Sequence, residues 1–172
     1  MLLPRSSPSH RRVRRAVKDL ELPRPFDVRT LSQSIARRRD RPIVLTALPL
    51  SAAGPGGLWL ATDSTDYICY EANTSPLHQQ HIVLHELGHL LCGHRGAERI
   101  DDFARGLAPQ LSETTMAIMF SRHRQSHPDA SEMEAELFAY FVLERVGELP
   151  GRPDASNGLT EGDRRWIEVL EE

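Results

Sequence analysis

The chain has 172 residues, of which 40% are hydrophobic and 26% are charged, and its formal net charge is −3. This length and composition fit a soluble globular domain with its own core, and no apolar run is long enough to cross a bilayer. Because the N-terminus lacks the apolar stretch of a secretory signal, we expect a cytoplasmic protein in which Cys69 and Cys92 are reduced thiols.

Charge divides the sequence into two parts. Residues 1–41 hold 12 basic and 4 acidic residues, a net charge of +8, whereas residues 42–172 carry a net charge of −11. We therefore predict a basic N-terminal arm with one or two helices at 1–41 and a folded domain at 42–172. Direct contact of the arm with nucleic acid is not favoured, because its single aromatic residue, Phe26, leaves little for bases to stack on.

The elements before the central part of the chain are predicted to be two helices and then a small sheet. The helices are expected at about 10–21 and from an Asp27 cap to about Arg39. Short β-branched or aromatic runs predict strands at 43–46, 58–61 and 66–71. The turn residues between these strands favour a small three-stranded, mostly antiparallel sheet.

Two longer helices are predicted after the sheet. Ser75 and Pro76 are typical of an N-cap and a first helical position, and this helix is expected to reach about residue 92. The second is predicted from Glu132 to Val146, between a Ser131 cap and a Gly147 stop. Weaker patterns predict helices at 100–108, 112–122 and 160–170.

The first of these two helices carries the pattern His-Glu-x-x-His, at His85, Glu86 and His89. Residues four apart lie on the same helix face, so the two imidazoles suit two corners of a tetrahedral zinc site. Glu86 stands where such a site has its general base. Residues 82–91 include no charged side chain except Glu86, so three polar groups on this apolar helix would be costly without a purpose. The pattern therefore predicts one zinc ion per chain.

A catalytic zinc site also needs a third protein ligand and an open position. His94 lies five residues after His89 rather than six, and no glycine stands three residues after His89, so the longer H-E-x-x-H-x-x-G-x-x-H arrangement does not fit. The acids of the 132–146 helix are better candidates.

One stripe of that helix combines acids with small residues that would allow a close approach to the motif helix: Glu132, Ala135, Glu136 and Ala139. We expect Glu132 to be the third ligand, and Glu136 to orient a ligand histidine through its free N–H. Glu134 is the alternative ligand. An oxyanion donor is also required, and the sequence does not select among its candidates, which are Tyr140, His94, His123 and His127.

Two segments together resemble the ImmA/IrrE metallopeptidases. They are Val83 to Leu91 and the Glu-x-Glu-Ala-x-x-Phe-Ala stretch from Glu132 to Ala139, and the predicted strand before the motif helix is similar as well. The resemblance covers roughly residues 43–146. It implies a zincin-like α+β fold, a zinc ion bound by two histidines and a glutamate, and endoproteolysis of a partner, commonly a helix-turn-helix repressor. Related proteins are toxin components of toxin–antitoxin pairs. The family's Leu-Leu-Met-Pro is replaced here by residues 140–143.

The leading hypothesis is therefore a zinc-dependent endopeptidase that cleaves a regulatory protein, such as a helix-turn-helix repressor or an antitoxin. Two other classes remain open. One is a non-hydrolytic zinc-binding interaction protein or toxin–antitoxin component, although Glu86 would then have no use. The other is a DNA-associated regulator that uses the basic arm, which would bind DNA in a salt-sensitive manner.

Overall fold

The computed structural model describes residues 8–49, 56–61, 64–94 and 129–148. The predicted helices at 100–108, 112–122 and 160–170, like His123 and His127, lie outside these residues. Four helices and three strands make up the described part: α1 (Pro8–Lys18), α2 (Val28–Arg39), β1 (Ile43–Leu48), β2 (Gly57–Ala61), β3 (Asp66–Glu71), α3 (Pro76–Cys92) and α4 (Asp129–Val146). This is the α+β arrangement expected from the sequence. No described helix is both long and apolar enough to cross a membrane.

The sheet is mixed, so the predicted antiparallel arrangement is wrong for one of its two pairings. The strand order is β1-β3-β2, with β3 antiparallel to β2 but parallel to β1. The central strand, β3, buries side chains on both faces, including Ile68 and Cys69, whereas β1 leaves Val44 exposed at an edge. Most of β2 is buried as well, so the backbone pairing, and not burial, places β3 between the other two strands. The tight-turn argument holds only for the β2–β3 connection.

A buried carboxylate fixes the sheet against α2. Asp66, at the start of β3, accepts hydrogen bonds from Arg39 (2.6 Å), Arg41 (2.8 Å) and the indole N–H of Trp59 (3.1 Å). Its side chain is almost completely buried. These bonds join the end of α2 and the segment after it to β2 and β3.

The basic N-terminal segment contributes to the same core as the rest of the described chain. Val13 and Val17 lie on the buried face of α1, Leu20 lies just after its end, and Leu31 and Ile35 line one face of α2. All five belong to one hydrophobic cluster with the sheet, α3 and α4. Within the described residues, the core is therefore continuous across position 41, the predicted boundary between the basic arm and the folded domain.

Helix α3 lies at the centre and packs against α4, β2, β3, α1 and α2. It begins as predicted: the Ser75 hydroxyl caps it by accepting from the His78 N–H, with Pro76 in the first turn. It ends at Gly93, whose positive φ of 69° suits glycine. The backbone N–H of His94 then donates to the carbonyl of His89 (3.0 Å), so His94 folds back over the last turn.

Helix α4 supplies the second wall of the site. Its stripe of Ala135, Phe138, Ala139 and Val142 is completely buried. The predicted Ser131 cap is wrong, because the helix begins earlier, at Asp129, and Ser131 lies in its first turn. Ala130 favours the helical state and so lets the helix extend upstream. The predicted stop is confirmed: Gly147 has a φ of 79°, and the Glu148 N–H donates to the carbonyl of Leu143 (2.9 Å).

Candidate metal centre

Helices α3 and α4 cross where their side chains are smallest. A Cβ atom added at Gly88 would lie 2.9 Å from the Cα of Ala135 and 3.0 Å from the Cβ of Phe138. Because these are atoms at the surface of the α4 backbone, no rotamer change can relieve the contact. The sequence prediction that small residues allow a close approach is thus confirmed at Ala135. Glu132 and Glu136 lie within one turn of this crossing and face α3.

The two motif histidines meet a carboxylate from α4. The Nε2 atoms of His85 and His89 lie 3.0 Å apart. Glu132 reaches both rings, with Oε2 3.4 Å from His85 Nε2 and Oε1 3.4 Å from His89 Nε2. His89 is fully buried, whereas the Glu132 side chain is 46% exposed, so the group is open to solvent on one side. These three residues form a possible metal-binding group.

The spacing of these atoms fits a small tetrahedral ion. With metal–ligand distances of about 2.0–2.1 Å, two corners of a tetrahedron lie roughly 3.3 Å apart. The two Nε2 atoms lie 3.0 Å apart, and each lies 3.4 Å from a different oxygen of the Glu132 carboxylate. Imidazole nitrogen and carboxylate oxygen are both ligands that zinc accepts. The residues therefore fit zinc in donor type and spacing, with one corner left for water.

Partners on the outer side of each ring fix the direction in which the two histidines present their lone pairs. Glu136 Oε2 lies 3.1 Å from His85 Nδ1, and His94 Nδ1 lies 2.9 Å from His89 Nδ1. A carboxylate can only accept, so His85 donates from Nδ1, and the neutral ring has its lone pair at Nε2. The predicted role of Glu136, holding a ligand histidine through its second nitrogen, matches this contact.

The charged groups around His85 favour a positive charge between the two histidine rings and Glu132. Burial lowers the pKa of His85, but hydrogen bonds to Glu132 and Glu136 outweigh it and raise that pKa to about 10. Burial raises the pKa of Glu136, but hydrogen bonds from His81 and His85 bring it down to about 2. The carboxylate of Glu136 is therefore ionised, and the His85 ring carries a positive charge when no metal ion is bound.

Glu86 points toward β2. Its Oε1 atom would lie 2.8 Å from a Cβ atom added at Gly57, and its carboxylate accepts from the backbone N–H of Trp59. The other oxygen, Oε2, is buried and has no hydrogen-bond partner among the described residues. Burial raises the pKa of Glu86 to about 7, partly countered by the nearby His85. A buried carboxyl with a vacant oxygen and a pKa near neutrality is suited to taking and returning a proton.

The three acids of α4 contact different parts of the site. Glu132 reaches the paired Nε2 atoms, and Glu136 reaches His85 Nδ1 from outside. Glu134, the alternative ligand, faces the other way: its Oε2 lies 2.9 Å from His94 Nε2, and it forms an ion pair with Arg12. Both its partners keep it away from the paired Nε2 atoms.

These contacts do not identify which residue would donate a hydrogen bond to the oxyanion. His94 lies on the Nδ1 side of His89 with both ring nitrogens engaged, which does not suit a donor to a reacting carbonyl group. Tyr140 follows Glu136 by one turn of α4 and is partly buried against the core, with its ring 5.7 Å from that of Phe141. Tyr140 therefore stays a prediction.

The sequence did not predict that two further residues, His81 and Arg12, contact the acids near the site. His81 Nε2 lies 3.0 Å from Glu136 Oε1, so Glu136 is held between His81 and His85. Its position, one turn before His85 on the same helix face, was an available signal. Arg12, on α1, carried no signal, because nothing in the sequence relates it to Glu134, 122 residues later.

Comparisons of the chain with protein-family models, with curated proteins and with solved structures found no match.

Proposed function

We propose that this protein is a zinc-dependent endopeptidase with a zincin-like fold, which acts in the cytoplasm on a regulatory protein such as a helix-turn-helix repressor or an antitoxin. One observation carries the proposal: two imidazole nitrogens and a carboxylate oxygen lie within 4.8 Å of one another, beside a buried carboxyl group with a vacant oxygen. The partner class comes from the resemblance of the sequence to the ImmA/IrrE metallopeptidases.

His85, His89 and Glu132 would hold the ion. A zinc ion bound there supplies a Lewis acid for the scissile carbonyl group and lowers the pKa of water. The chain's own contribution is orientation. Glu136, fixed by His81, keeps His85 Nε2 directed at Glu132, and His94 does the same for His89. The rings are therefore held in place before any ligand arrives.

Glu86 is the proposed general base. With one oxygen held at the Trp59 N–H, its other oxygen is available to accept a proton from the attacking water molecule and then to protonate the leaving amine. A pKa raised toward neutrality allows both transfers near pH 7. A protein that only binds zinc would have no use for this group, and leaving its oxygen buried without a partner would cost stability.

The proposal separates the roles of neighbouring residues, which allows a direct test. Glu86→Gln should retain zinc and lose cleavage, whereas His85→Ala should lose both. Zinc content is measured by elemental analysis of the purified proteins, and cleavage by comparing new protein N-termini in cells that express the wild type or Glu86→Gln. New N-termini that depend on Glu86 support the proposal. It fails if Glu86→Gln loses as much zinc as His85→Ala, or if the two cell populations have the same N-termini.

A further inference from the structure

A chain of polar contacts connects the N-terminal helix to one of the proposed zinc ligands. Arg12 on α1 pairs with Glu134 on α4, Glu134 Oε2 lies 2.9 Å from His94 Nε2, and His94 Nδ1 lies 2.9 Å from His89 Nδ1. Three separate segments meet here: α1, α4 and the residue after the glycine that ends α3. The proposed catalytic steps use His89 but assign nothing to Arg12 or Glu134.

Glu134 is built into its position. Its side chain is only 4% exposed, and it accepts hydrogen bonds from Ser9, His94 and Arg12. Because the Glu134 carboxylate is paired with the Arg12 guanidinium, it is an acceptor, and the Nε2 atom of His94 is the donor in their contact.

The donor in the hydrogen bond between His94 Nδ1 and His89 Nδ1 follows from the contact between His94 and Glu134. When His94 carries its hydrogen on Nε2, its lone pair is at Nδ1, where it accepts from the Nδ1–H of His89. His89 then has its own lone pair at Nε2, the atom that faces His85 and Glu132. The backbone supports this geometry, since the turn at Gly93 lets the His94 N–H bond to the His89 carbonyl.

We propose that Arg12, Glu134 and His94 are positioning residues that hold His89 in its Nδ1–H form, with Nε2 directed at the metal. This inference rests on the proposed zinc site. It assigns a function to the basic helix α1: Arg12 holds the Glu134 side chain in place against His94. Displacement of α1 would therefore weaken zinc binding without touching a ligand.

A second metal ion at this cluster is the competing interpretation. Cys92, His94 and Glu134 present ligand atoms close enough together for a metal ion. However, Arg12 already provides a cation at Glu134, and both nitrogens of His94 are engaged in the chain of hydrogen bonds. The positioning role therefore predicts one zinc ion per chain, and a second site predicts two.

The test measures zinc affinity by competition with a chelator in the full chain. His94→Phe keeps a ring but removes the acceptor, and should weaken zinc binding by about 10–100-fold, the usual effect of losing an outer partner of a ligand. Arg12→Gln changes a side chain that is 57% exposed and should weaken binding by about two- to fivefold. The matched control is His78→Phe, on the same helix, where His78 contacts Thr74 instead.

Two further measurements distinguish positioning from a general loss of structure. Arg12→Gln should have no additional effect in a His94→Phe background, because the connection is already cut. His94→Gln, whose amide can both donate and accept, should recover part of the lost affinity. In long-range ¹H–¹⁵N spectra of the metal-free protein, His89 should carry its proton on Nδ1 in the wild type and a mixture of forms in His94→Phe.

The zinc affinities and the number of zinc ions per chain decide between the interpretations. If the wild type binds one zinc ion and His94→Phe binds it as tightly as His78→Phe does, the positioning role is wrong and the zinc site stands. Two zinc ions per chain would also overturn it. A wild type without zinc refutes the proposed function and this inference with it. Should His94→Phe fail to fold, Arg12→Gln decides alone: wild-type affinity in a folded protein would overturn the proposal.

Discussion

Gly88 controls how closely α4 approaches the motif helix, so Gly88→Ala perturbs the metal site without changing any ligand. The added methyl carbon would lie 2.9 Å from the Cα and 3.0 Å from the carbonyl oxygen of Ala135. Since ordinary contacts between carbon atoms are about 3.5–4.0 Å, α4 must withdraw by roughly 0.5–1 Å. Glu132, three residues before Ala135 on the same helix, would move with it.

The size of the effect follows from that displacement. Forcing a methyl group into a packed crossing costs about 1–3 kcal/mol, partly offset by the roughly 0.5–1 kcal/mol that alanine gains over glycine in a helix. We therefore expect a free energy of unfolding lower by about 0.5–2 kcal/mol. Metal sites tolerate ligand displacements of only about 0.2 Å, so zinc affinity should fall by at least about tenfold.

Chelator competition measures the zinc affinity, and urea denaturation measures the stability. The matched control is Gly56→Ala, because its added carbon would meet only the end of the Ile82 side chain, 2.9 Å away, which can rotate. That variant should bind zinc like the wild type. If folded Gly88→Ala protein also binds zinc with wild-type affinity, the close approach of α4 is not what places Glu132, and the reasoning is refuted.

Three other substitutions or treatments probe separate features. Gly57→Ala would place a carbon 2.5 Å from Ile82 Cγ2 and 2.8 Å from Glu86 Oε1, so both side chains must shift, and cleavage should fall at least about tenfold with a smaller loss of zinc affinity; equal losses of both would contradict the role assigned to Glu86. Burial raises the pKa of Cys92 to about 11 and that of Cys69 to about 12, so at pH 8 iodoacetamide should alkylate Cys92 on the order of 100-fold and Cys69 on the order of 1000-fold more slowly than a free thiol; mass spectrometry would detect faster reaction. Asp66→Asn should lower the free energy of unfolding by about 2–4 kcal/mol in urea titrations, because it breaks a buried ionic network whose arginines are partly solvated; a loss below about 0.5 kcal/mol would show that water replaces those contacts.

The elements that follow from local chemistry were predicted well. The Asp27 cap accepts from the Thr30 N–H at 2.8 Å, and Ser75, Pro76 and the glycine stop at 147 all lie at the helix boundaries expected for them. Each depends on a few neighbouring residues, which the sequence displays directly. The acids of α4 were also assigned to the right faces, because helical periodicity separates Glu134 from Glu132 and Glu136.

Features that depend on distant parts of the chain were not predictable in the same way. Strand order depends on which strands pair through their backbones, and burial did not identify the central strand because β2 and β3 are both mostly buried. The contact of Arg12 with Glu134 requires α1 to pack on α4, which local patterns do not encode. The charge asymmetry suggested a separate arm, yet the apolar face of α1 is buried in the common core. The basic residues of α1 lie on its exposed face, and the net charge does not report on the apolar residues of the opposite face.

The central claim is that His85, His89 and Glu132 together bind one zinc ion. The most direct measurement is the zinc content and affinity of the wild type beside Glu132→Ala and Glu144→Ala, which remove two acids of the same helix, the second exposed to solvent. The account predicts one zinc ion per chain in the wild type and in Glu144→Ala, and an affinity lower by at least about tenfold in Glu132→Ala. A wild type that binds no zinc after reconstitution, or a Glu132→Ala protein that binds it normally, would contradict the account.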